Sequence, residues 1–304
     1  MQKKSRLEDI KLIKISPQGH KNAMEADITI MERAAIAAGN VIMKYYREGE
    51  QVTNGAELQN KGVNNPLTKA DLEADTLLNK MLLEARPDYG WLSEETTDNP
   101  TRMEKKRVWV VDPIDGTKEF IIGLPQFAVS IGLIEDGKPI AACVHNPASK
   151  ETFLAGLGSG STLNRQAITT STRSKLTGST CLASRSETKR GDWDCFKSEF
   201  AITTMGSIAY KLALVAAGHY DISFTLTPKN EWDFCAGALL VTEAGGKVTH
   251  KDGAECRYNK KNPLVRSLLA SNGTLHPSLL QRLKDIPYGP DRHGPTCTLK
   301  EENK

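Results

Sequence analysis

Apolar residues recur at helical spacing in two segments near the start of the chain. Over residues 27–47 they fall three or four positions apart, which predicts a long amphipathic helix. A second helix is predicted over Lys69–Ala85, with Thr68 as its N-cap and Asp71 as the capping-box partner. The polar, glycine-containing stretch 49–65 between them is typical of a mobile loop.

After the second helix, short apolar runs bounded by turn residues predict β-strands. The strands expected in the first half are 89–95, 108–111, 128–134, 139–144 and 151–155. Turns at Asp136-Gly137 and around Pro147 favour a meandering antiparallel sheet among the last three. The first half of the chain is therefore predicted to be α+β.

The glycine-rich stretch 156–160 separates this half from the next. It resembles a phosphate-binding loop, but no Gly-Lys-Ser/Thr follows, so we interpret it as a flexible connection. Strands and helices then alternate, at 181–184, 206–218 (helix), 220–225, 234–244 (helix), 247–249 and 267–270. This alternation predicts a second, α/β domain.

Four units follow from this pattern. We expect an N-terminal tail at 1–25, an α+β domain that binds metal and phosphate at 26–160, an α/β substrate domain at 161–286, and a C-terminal tail at 287–304. A chain of 304 residues with 39% hydrophobic content can bury cores in both domains.

Charge and hydropathy argue against two classes of protein, dedicated nucleic-acid binders and membrane-spanning proteins. The net charge is +3, and the basic residues form no dense block with interleaved aromatics, so no nucleic-acid partner is expected. The longest apolar run, 127–134, is far shorter than the roughly 20 residues that span a bilayer, so no transmembrane segment is expected.

The N-terminus and the cysteines predict a cytoplasmic protein. The lysine-rich start has no apolar segment followed by a cleavage site, so export is not expected. Six cysteines are scattered without a C-x-x-C pair, at Cys143, Cys181, Cys195, Cys235, Cys256 and Cys297. We expect them to be buried thiols in a reducing compartment, although their even number permits disulfides.

Acidic residues stand at the ends of several predicted elements. Glu94 follows one strand, Asp112 and Asp115 follow another, and Asp233 opens a helix. Carboxylate oxygens are the ligands that Mg²⁺ prefers, and the free amides after Asp115 suit a phosphate. Each acid also has an ordinary structural explanation as a turn former, a solvated strand end or a residue favoured by the helix dipole.

Three motifs together resemble the inositol monophosphatase superfamily of Mg²⁺-dependent, lithium-sensitive phosphomonoesterases. They are Ser93-Glu94-Glu95, Asp112-Pro113-Ile114-Asp115-Gly116-Thr117, and Trp232-Asp233 followed by Ala236-Gly237. The resemblance covers roughly residues 27–285. It implies a layered αβαβα sandwich of two domains with the active site between them.

The resemblance also implies roles for individual residues. The metal ligands would be Glu94, Asp112, Asp115, Asp233 and the carbonyl of Ile114, holding two or three Mg²⁺ ions. Gly116 and Thr117 would bind the phosphate through their amides. Glu94 and Thr117 would activate a water, with Asp71 acting in catalysis as well as, or instead of, capping its helix.

Further residues are similar to one branch, the bacterial CysQ-type 3'(2'),5'-bisphosphate nucleotidases. They include Thr117-Lys118-Glu119-Phe120, Ala183-Ser184-Arg185-Ser186, Lys211, and Glu231 before Trp232-Asp233. Arg185 and Lys211 would meet a second phosphate, or else form surface salt bridges, and Glu231 and Asp233 would contact substrate. Glu187 departs from this branch, and Phe127-Ala128-Val129-Ser130 is closer to inositol monophosphatases.

These resemblances imply hydrolysis of the 3'-phosphate of adenosine 3',5'-bisphosphate, with phosphate and AMP as products. The alternative substrate is inositol 1-phosphate or another sugar phosphate. A third possibility is a binding protein for RNA or transcription machinery, which an apparently complete ligand set argues against. A homodimer is implied only by family analogy.

Overall fold

A computed structural model describes residues 17–52, 59–60 and 66–288. Most of the predicted loop at 49–65 and of the two predicted tails lies outside the described residues, as does Cys297. The α-helices in the described part are α1 (Pro17–Ile42), α2 (Lys69–Ala85), α3 (Thr117–Ile121), α4 (Arg185–Lys189), α5 (Ile208–Ala216), α6 (Glu231–Glu243) and α7 (His276–Leu283).

The larger sheet has seven strands. A two-stranded pair, β1 (Gln59–Asn60) and β2 (Pro66–Leu67), precedes it in the chain. The seven strands lie in chain order: β3 (Gly90–Ser93), β4 (Arg107–Asp115), β5 (Ala128–Glu135), β6 (Lys138–Asn146), β7 (Glu151–Gly156), β8 (Gly160–Leu163) and β9 (Gln166–Ile168). β3 and β4 are parallel, and every later pair is antiparallel, so the predicted meander of β5, β6 and β7 is confirmed.

The glycine-rich stretch 156–160 is not the flexible connection that we expected. It is the turn between β7 and β8, and Gly156 pairs with Gly160 across it. The carboxylate of Glu243 on α6 accepts hydrogen bonds from the amides of Gly158 and Gly160 at 2.9 and 3.0 Å. The first sheet consequently continues to Ile168, past the expected boundary at residue 160.

A second sheet of five strands follows. Its strands are β10 (Thr180–Ser184), β11 (Ala201–Met205), β12 (Ile222–Thr225), β14 (Lys247–Thr249) and β16 (Leu268–Ser271), in the spatial order β11, β10, β12, β16, β14. The two-residue strands β13 (Lys229–Asn230) and β15 (Leu264–Val265) form a separate pair.

The two sheets and their helices form alternating layers. Alternate residues of β4 belong to different cores, because successive side chains in a strand point to opposite faces. Trp109 and Val111 pack with α1 and α2, whereas Val108 and Val110 pack with α5 and α6. The five-stranded sheet covers the far side of α5 and α6, and its outer face packs on α7 and on Trp193 and Phe196. The layered α/β sandwich is thereby confirmed.

The structure confirms the predicted helix cap and differs from the prediction at one cysteine. The capping box of α2 is present, with Thr68 as N-cap and Asp71 as its partner. Cys143, Cys181, Cys235 and Cys256 are free thiols, but Cys195 is disulfide-bonded, so the expectation of thiols throughout was wrong there. No helix within the described ranges combines the length and the apolar character needed to cross a bilayer.

Candidate active site

Two parallel strands place Glu94 and Asp112 together at one end of the seven-stranded sheet, where β3 and β4 finish. β3 ends at Ser93 opposite Val111 of β4, and the amide of Glu94 donates to the carbonyl of Val111 at 3.2 Å. The pairing of β4 with β5 then shifts register between Asp112 and Asp115. Asp112 supports this irregular stretch, because its Oδ1 accepts a hydrogen bond from the amide of Ile114 at 3.1 Å.

Helix α6 brings Asp233 to the same end of the sheet. Its first turn packs against β5, where the hydroxyl of Ser130 donates to the carbonyl of Trp232 at 3.1 Å. One carboxylate oxygen of Asp233 accepts from the amide of Asn230 at 3.0 Å, which caps the helix. Carboxylate oxygens of Glu94, Asp112 and Asp233 lie within 4.8 Å of one another.

The crowding of these acids changes their protonation. Burial is the largest cause that raises the pKa of Asp112, and the carboxylates of Glu94, Asp115 and Asp233 raise it further. Burial likewise raises the pKa of Asp233, and Asp115 and Glu94 add to the rise. Like charges held together in this way favour either bound protons or a bound cation. An all-oxygen set of carboxylates, buried at Asp112 and half-buried at Glu94 and Asp233, fits Mg²⁺.

Asp115 connects this group to the second half of the chain. Its Oδ2 accepts from the hydroxyl of Ser207 and from the amide of Ala209, both at 2.6 Å. Ser207 is the N-cap of α5 and has a positive φ of 47°. Burial raises the pKa of Asp115 to about 6, although these two hydrogen bonds oppose the rise.

Thr117 and Asp71 are in contact. The Thr117 hydroxyl lies 3.0 Å from the carbonyl oxygen of Ile114 and 3.3 Å from Oδ1 of Asp71. Oδ2 of Asp71 accepts from the amide of Thr68 at 2.8 Å, so the same carboxylate caps α2 and faces the loop after β4. Gly116 makes that loop possible, because its φ is 99° and a Cβ there would lie 2.7 Å from the carbonyl oxygen of Gln126.

Comparison with known proteins identifies the family. Residues 23–288 match the Inositol monophosphatase family. The chain belongs to this family. Among curated relatives of the inositol monophosphatase family, it is 32% identical to an inositol-1-monophosphatase of Mesorhizobium japonicum, over 86% of this chain and 97% of that protein. It is 33% identical to the Nus factor SuhB of Xylella fastidiosa, over 86% of this chain and 96% of that protein.

Solved structures of inositol monophosphatase family members have the same fold. The extragenic suppressor protein SuhB of Bartonella henselae superposes with a TM-score of 0.75 at 30% identity, covering 86% of this chain and 99% of that one. The Thermotoga maritima IMPase gives a TM-score of 0.74 at 28% identity, covering 86% and 97%. The family is one of Mg²⁺-dependent phosphatases, which agrees with the acidic group at this end of the sheet.

The two predicted cationic residues differ in their surroundings. Arg185 is engaged by the protein, with its Nε 3.3 Å from a carboxylate oxygen of Glu119 and a 2.6 Å hydrogen bond to the side chain of Gln126. Lys211 is only 4% exposed, and its ammonium forms no ion pair with any residue in the described ranges. Burial lowers its pKa, whereas Glu187, Asp115 and Glu119 oppose the change.

The carboxylate of Glu231 is held by the protein itself. It is 0% exposed and accepts from the amides of Asn259 and Lys260 at 2.6 and 3.2 Å. Burial raises its pKa to about 7. Through these hydrogen bonds Glu231 holds the 259–260 loop in place. Its contact with substrate stays a prediction.

Sequence reasoning missed two residues beside the site. Asp75 accepts hydrogen bonds from Ser93 and Thr96, which flank Glu94 and Glu95. Its position four residues after Asp71 on a helix face of alanines and leucines was an available signal. Ser207 lies at the start of the helix predicted over 206–218, where serine is a favoured N-cap, and this was the signal for its position.

Proposed function

We propose that this chain hydrolyses phosphate monoesters at the end of the seven-stranded sheet where Glu94, Asp112 and Asp233 meet. The convergence of their oxygens within 4.8 Å carries the proposal, because three carboxylates, buried at Asp112 and half-buried at Glu94 and Asp233, repel one another unless protons or a cation lie among them. The ligand set we propose for Mg²⁺ is Glu94, Asp112, Asp115, Asp233 and the carbonyl of Ile114.

Bound Mg²⁺ supplies charge for the phosphate oxygens and lowers the pKa of an attacking water. The chain's own groups then orient that water. The Thr117 hydroxyl has one proton to donate and is in contact with two acceptors, the Ile114 carbonyl and Asp71. Its oxygen can therefore accept a hydrogen bond from the water while Asp71 fixes the direction of the hydroxyl. Glu94 would take up the proton of the water.

The substrate that we propose is adenosine 3',5'-bisphosphate. Support comes from Lys211, whose buried ammonium lies in the field of Glu187, Asp115 and Glu119 but forms no ion pair with them within the described part of the chain. A second phosphate beside Lys211 would provide that partner. The Lys118-Glu119 pair after Thr117 is the sequence feature that supports the same branch. Contact of Arg185 with the second phosphate would require it to exchange its bond to Gln126.

Inositol 1-phosphate is the second candidate substrate. The Mesorhizobium japonicum relative is named an inositol-1-monophosphatase, and it is 32% identical over 86% of this chain. A paired assay separates the two candidates: phosphate release from adenosine 3',5'-bisphosphate and from inositol 1-phosphate, each with Mg²⁺ and with added Li⁺. Much faster release from the nucleotide supports our proposal, and the reverse ranking overturns it.

A binding role is the alternative from another functional class. The Xylella fastidiosa relative is named a Nus factor, which makes an interaction with transcription machinery conceivable for this chain. Asp115→Asn tests this, with the exposed turn variant Asp136→Asn as a matched control. We expect Asp115→Asn to reduce Mg²⁺-dependent turnover by roughly 100-fold or more, and Asp136→Asn to leave it unchanged. A biological role that survives Asp115→Asn would favour binding.

Two further expectations belong to this proposal. We place the enzyme in the cytoplasm, where a small phosphate ester is available, and we expect no nucleic-acid partner for the catalytic role. A homodimer is proposed by analogy with the family, and sedimentation of the purified chain tests it.

A further inference from the structure

Glu94 lies in the turn that directly follows β3. Its amide donates to the carbonyl of Val111 on the neighbouring strand. Residues 94–96 form a bend and not a strand. Glu94 must nevertheless be held close to Asp112 and Asp233, whose negative charges repel it.

A single carboxylate on α2, that of Asp75, accepts hydrogen bonds from residues on both sides of Glu94 in this turn. Oδ1 of Asp75 accepts from the hydroxyl of Ser93 at 2.5 Å, and Oδ2 accepts from the hydroxyl of Thr96 at 2.6 Å. Ser93 Oγ in turn accepts from the amide of Glu95 at 3.3 Å. Asp75 thus holds the residue before Glu94 and the second residue after it. Its own position is fixed, because it is 7% exposed in the middle of a helix of 17 residues.

The same helix also supports the other side of the site. Asp71, one helical turn before Asp75, contacts Thr117 in the loop after β4. Residues four apart lie on one helix face, so α2 presents one carboxylate to each of the two loops that carry the candidate ligands. Hydrogen bonds to a charged acceptor are stronger than neutral ones and fix geometry more firmly.

We propose that Asp75 is a positioning residue for the metal site: it sets the location of Glu94 through Ser93 and Thr96 without itself binding the ion. This inference rests on the proposed role of Glu94. Loss of Asp75 should weaken Mg²⁺ binding, because Glu94 would have to be ordered against its neighbours each time an ion binds. Loss of a hydrogen-bonded support beneath a ligand typically weakens metal binding by about 10–100-fold.

The main experiment compares three variants by calorimetric titration with Mg²⁺ and by the Mg²⁺ dependence of turnover. Asp75→Ala removes both acceptors. Glu73→Ala is the matched control, because Glu73 has the same charge on the same helix but accepts from Tyr45, away from the site. Glu94→Gln removes the proposed ligand itself. We expect weaker Mg²⁺ binding by about 10–100-fold in Asp75→Ala, with kcat largely recovered at saturating Mg²⁺, and no change in Glu73→Ala.

The outcomes separate the two proposals. If Asp75→Ala binds Mg²⁺ as Glu73→Ala does while Glu94→Gln binds it weakly, the positioning role is wrong and the metal site stands. If Glu94→Gln also binds Mg²⁺ normally, the proposed site itself is wrong. If kcat of Asp75→Ala stays low at saturating Mg²⁺ while Mg²⁺ affinity is unchanged, Asp75 acts in another way and the inference fails.

Milder variants keep the test decisive if Asp75→Ala does not fold. Asp75→Asn retains one acceptor oxygen, and Thr96→Val removes one donor at an exposed position while preserving shape. Each should weaken Mg²⁺ binding less than Asp75→Ala does, by about 3–10-fold, since one of the two hydrogen bonds to Asp75 remains. Wild-type affinity in both variants would overturn the inference.

Discussion

The guanidinium of Arg102 donates a 2.8 Å hydrogen bond to the backbone carbonyl of Lys260, 158 residues later in the chain. Arg102 is 2% exposed and also binds Asn259 and Asp98. The amides of Asn259 and Lys260 donate to Glu231, at the start of the helix that carries Asp233. This buried arginine therefore links the segment after Glu94 to the helix of another candidate ligand.

Replacement of Arg102 by methionine should destabilise the fold strongly. The substitution leaves the carbonyl of Lys260 and the side chain of Asn259 without their donor, whereas the exposed Asp98 can bind water, so we expect the free energy of unfolding to fall by about 1–3 kcal/mol. Arg165→Met is the control, because the ion pair of Arg165 with Glu32 is largely exposed and should contribute less than about 1 kcal/mol. Urea unfolding measures both, and equal losses would contradict the prediction.

Mg²⁺ should stabilise the folded protein through the three converging acids. A ligand that binds only the folded state adds about 2.7 kcal/mol at a concentration 100 times its Kd, or roughly 4–5 °C in Tm for a protein of this size. Thermal unfolding with Mg²⁺ or with EDTA measures the shift. Asp233→Asn should remove most of it, and Asp136→Asn should keep it; a shift that persists in Asp233→Asn would place the ion elsewhere.

His276 should make stability depend on pH in mildly acidic solution. The ring is buried, with Nε2 2.8 Å from the Thr249 hydroxyl and Nδ1 2.9 Å from the Ser271 hydroxyl. The Thr249 hydroxyl donates to the carbonyl of His250, so it accepts from Nε2, and the neutral ring is satisfied at both nitrogens. Burial lowers the pKa of His276 from an ordinary 6.5 to about 4, and Lys247 adds to the lowering.

The folded and unfolded states differ in whether His276 binds a proton, and this difference decides how stability changes with pH. Between pH 6.5 and 4 the unfolded chain is protonated at this position and the folded protein is not, so acidification favours unfolding. We expect a loss of up to about 3 kcal/mol across this interval from His276. His276→Gln should be less stable at neutral pH but should lose less on acidification. Parallel stability curves for the two proteins, measured by urea unfolding, would rule the effect out.

Gly237 should be needed for close packing of α5 against α6. A Cβ there would lie 2.6 Å from the Cβ of Leu212, an atom that cannot move without its backbone. We expect Gly237→Ala to cost about 1–3 kcal/mol. Gly156→Ala is a matched control, since its nearest neighbours are the terminal methyl groups of Ile28 and Met24. Thermal unfolding compares them, and a smaller loss for Gly237→Ala than for Gly156→Ala would contradict this packing argument.

Local signals in the sequence predicted local structure well. The bounds of α2 and its capping box follow from Thr68, Asp71 and the apolar spacing after them. The acids at element ends also indicated that Glu94, Asp112 and Asp233 could meet, because strand ends and helix starts gather at sheet edges.

The pairing of strands and side chains that lie far apart in the chain could not be predicted from the sequence in the same way. The parallel pairing of β3 with β4, and the extension of the first sheet through β8 and β9, depend on partners that no local pattern specifies. The role of Arg102 depends on a loop far away in the chain, and the bond from Ser207 to Asp115 joins the start of α5 to β4, 92 residues earlier. Such contacts are fixed by the packing of layers and not by neighbours in the sequence.

Helix α6 lies between the two sheets, and Asp233 on its first turn completes a group whose other members are Glu94, directly after β3, and Asp112 in β4. A nascent chain that has emerged from the ribosome only as far as residue 160 would contain Glu94 and Asp112 but not Asp233. If Mg²⁺ binds at this group as we propose, the ion can bind only after α6 has packed against the first sheet. The appearance of Mg²⁺ affinity during refolding would then report the late assembly of the two halves and not the formation of the first sheet.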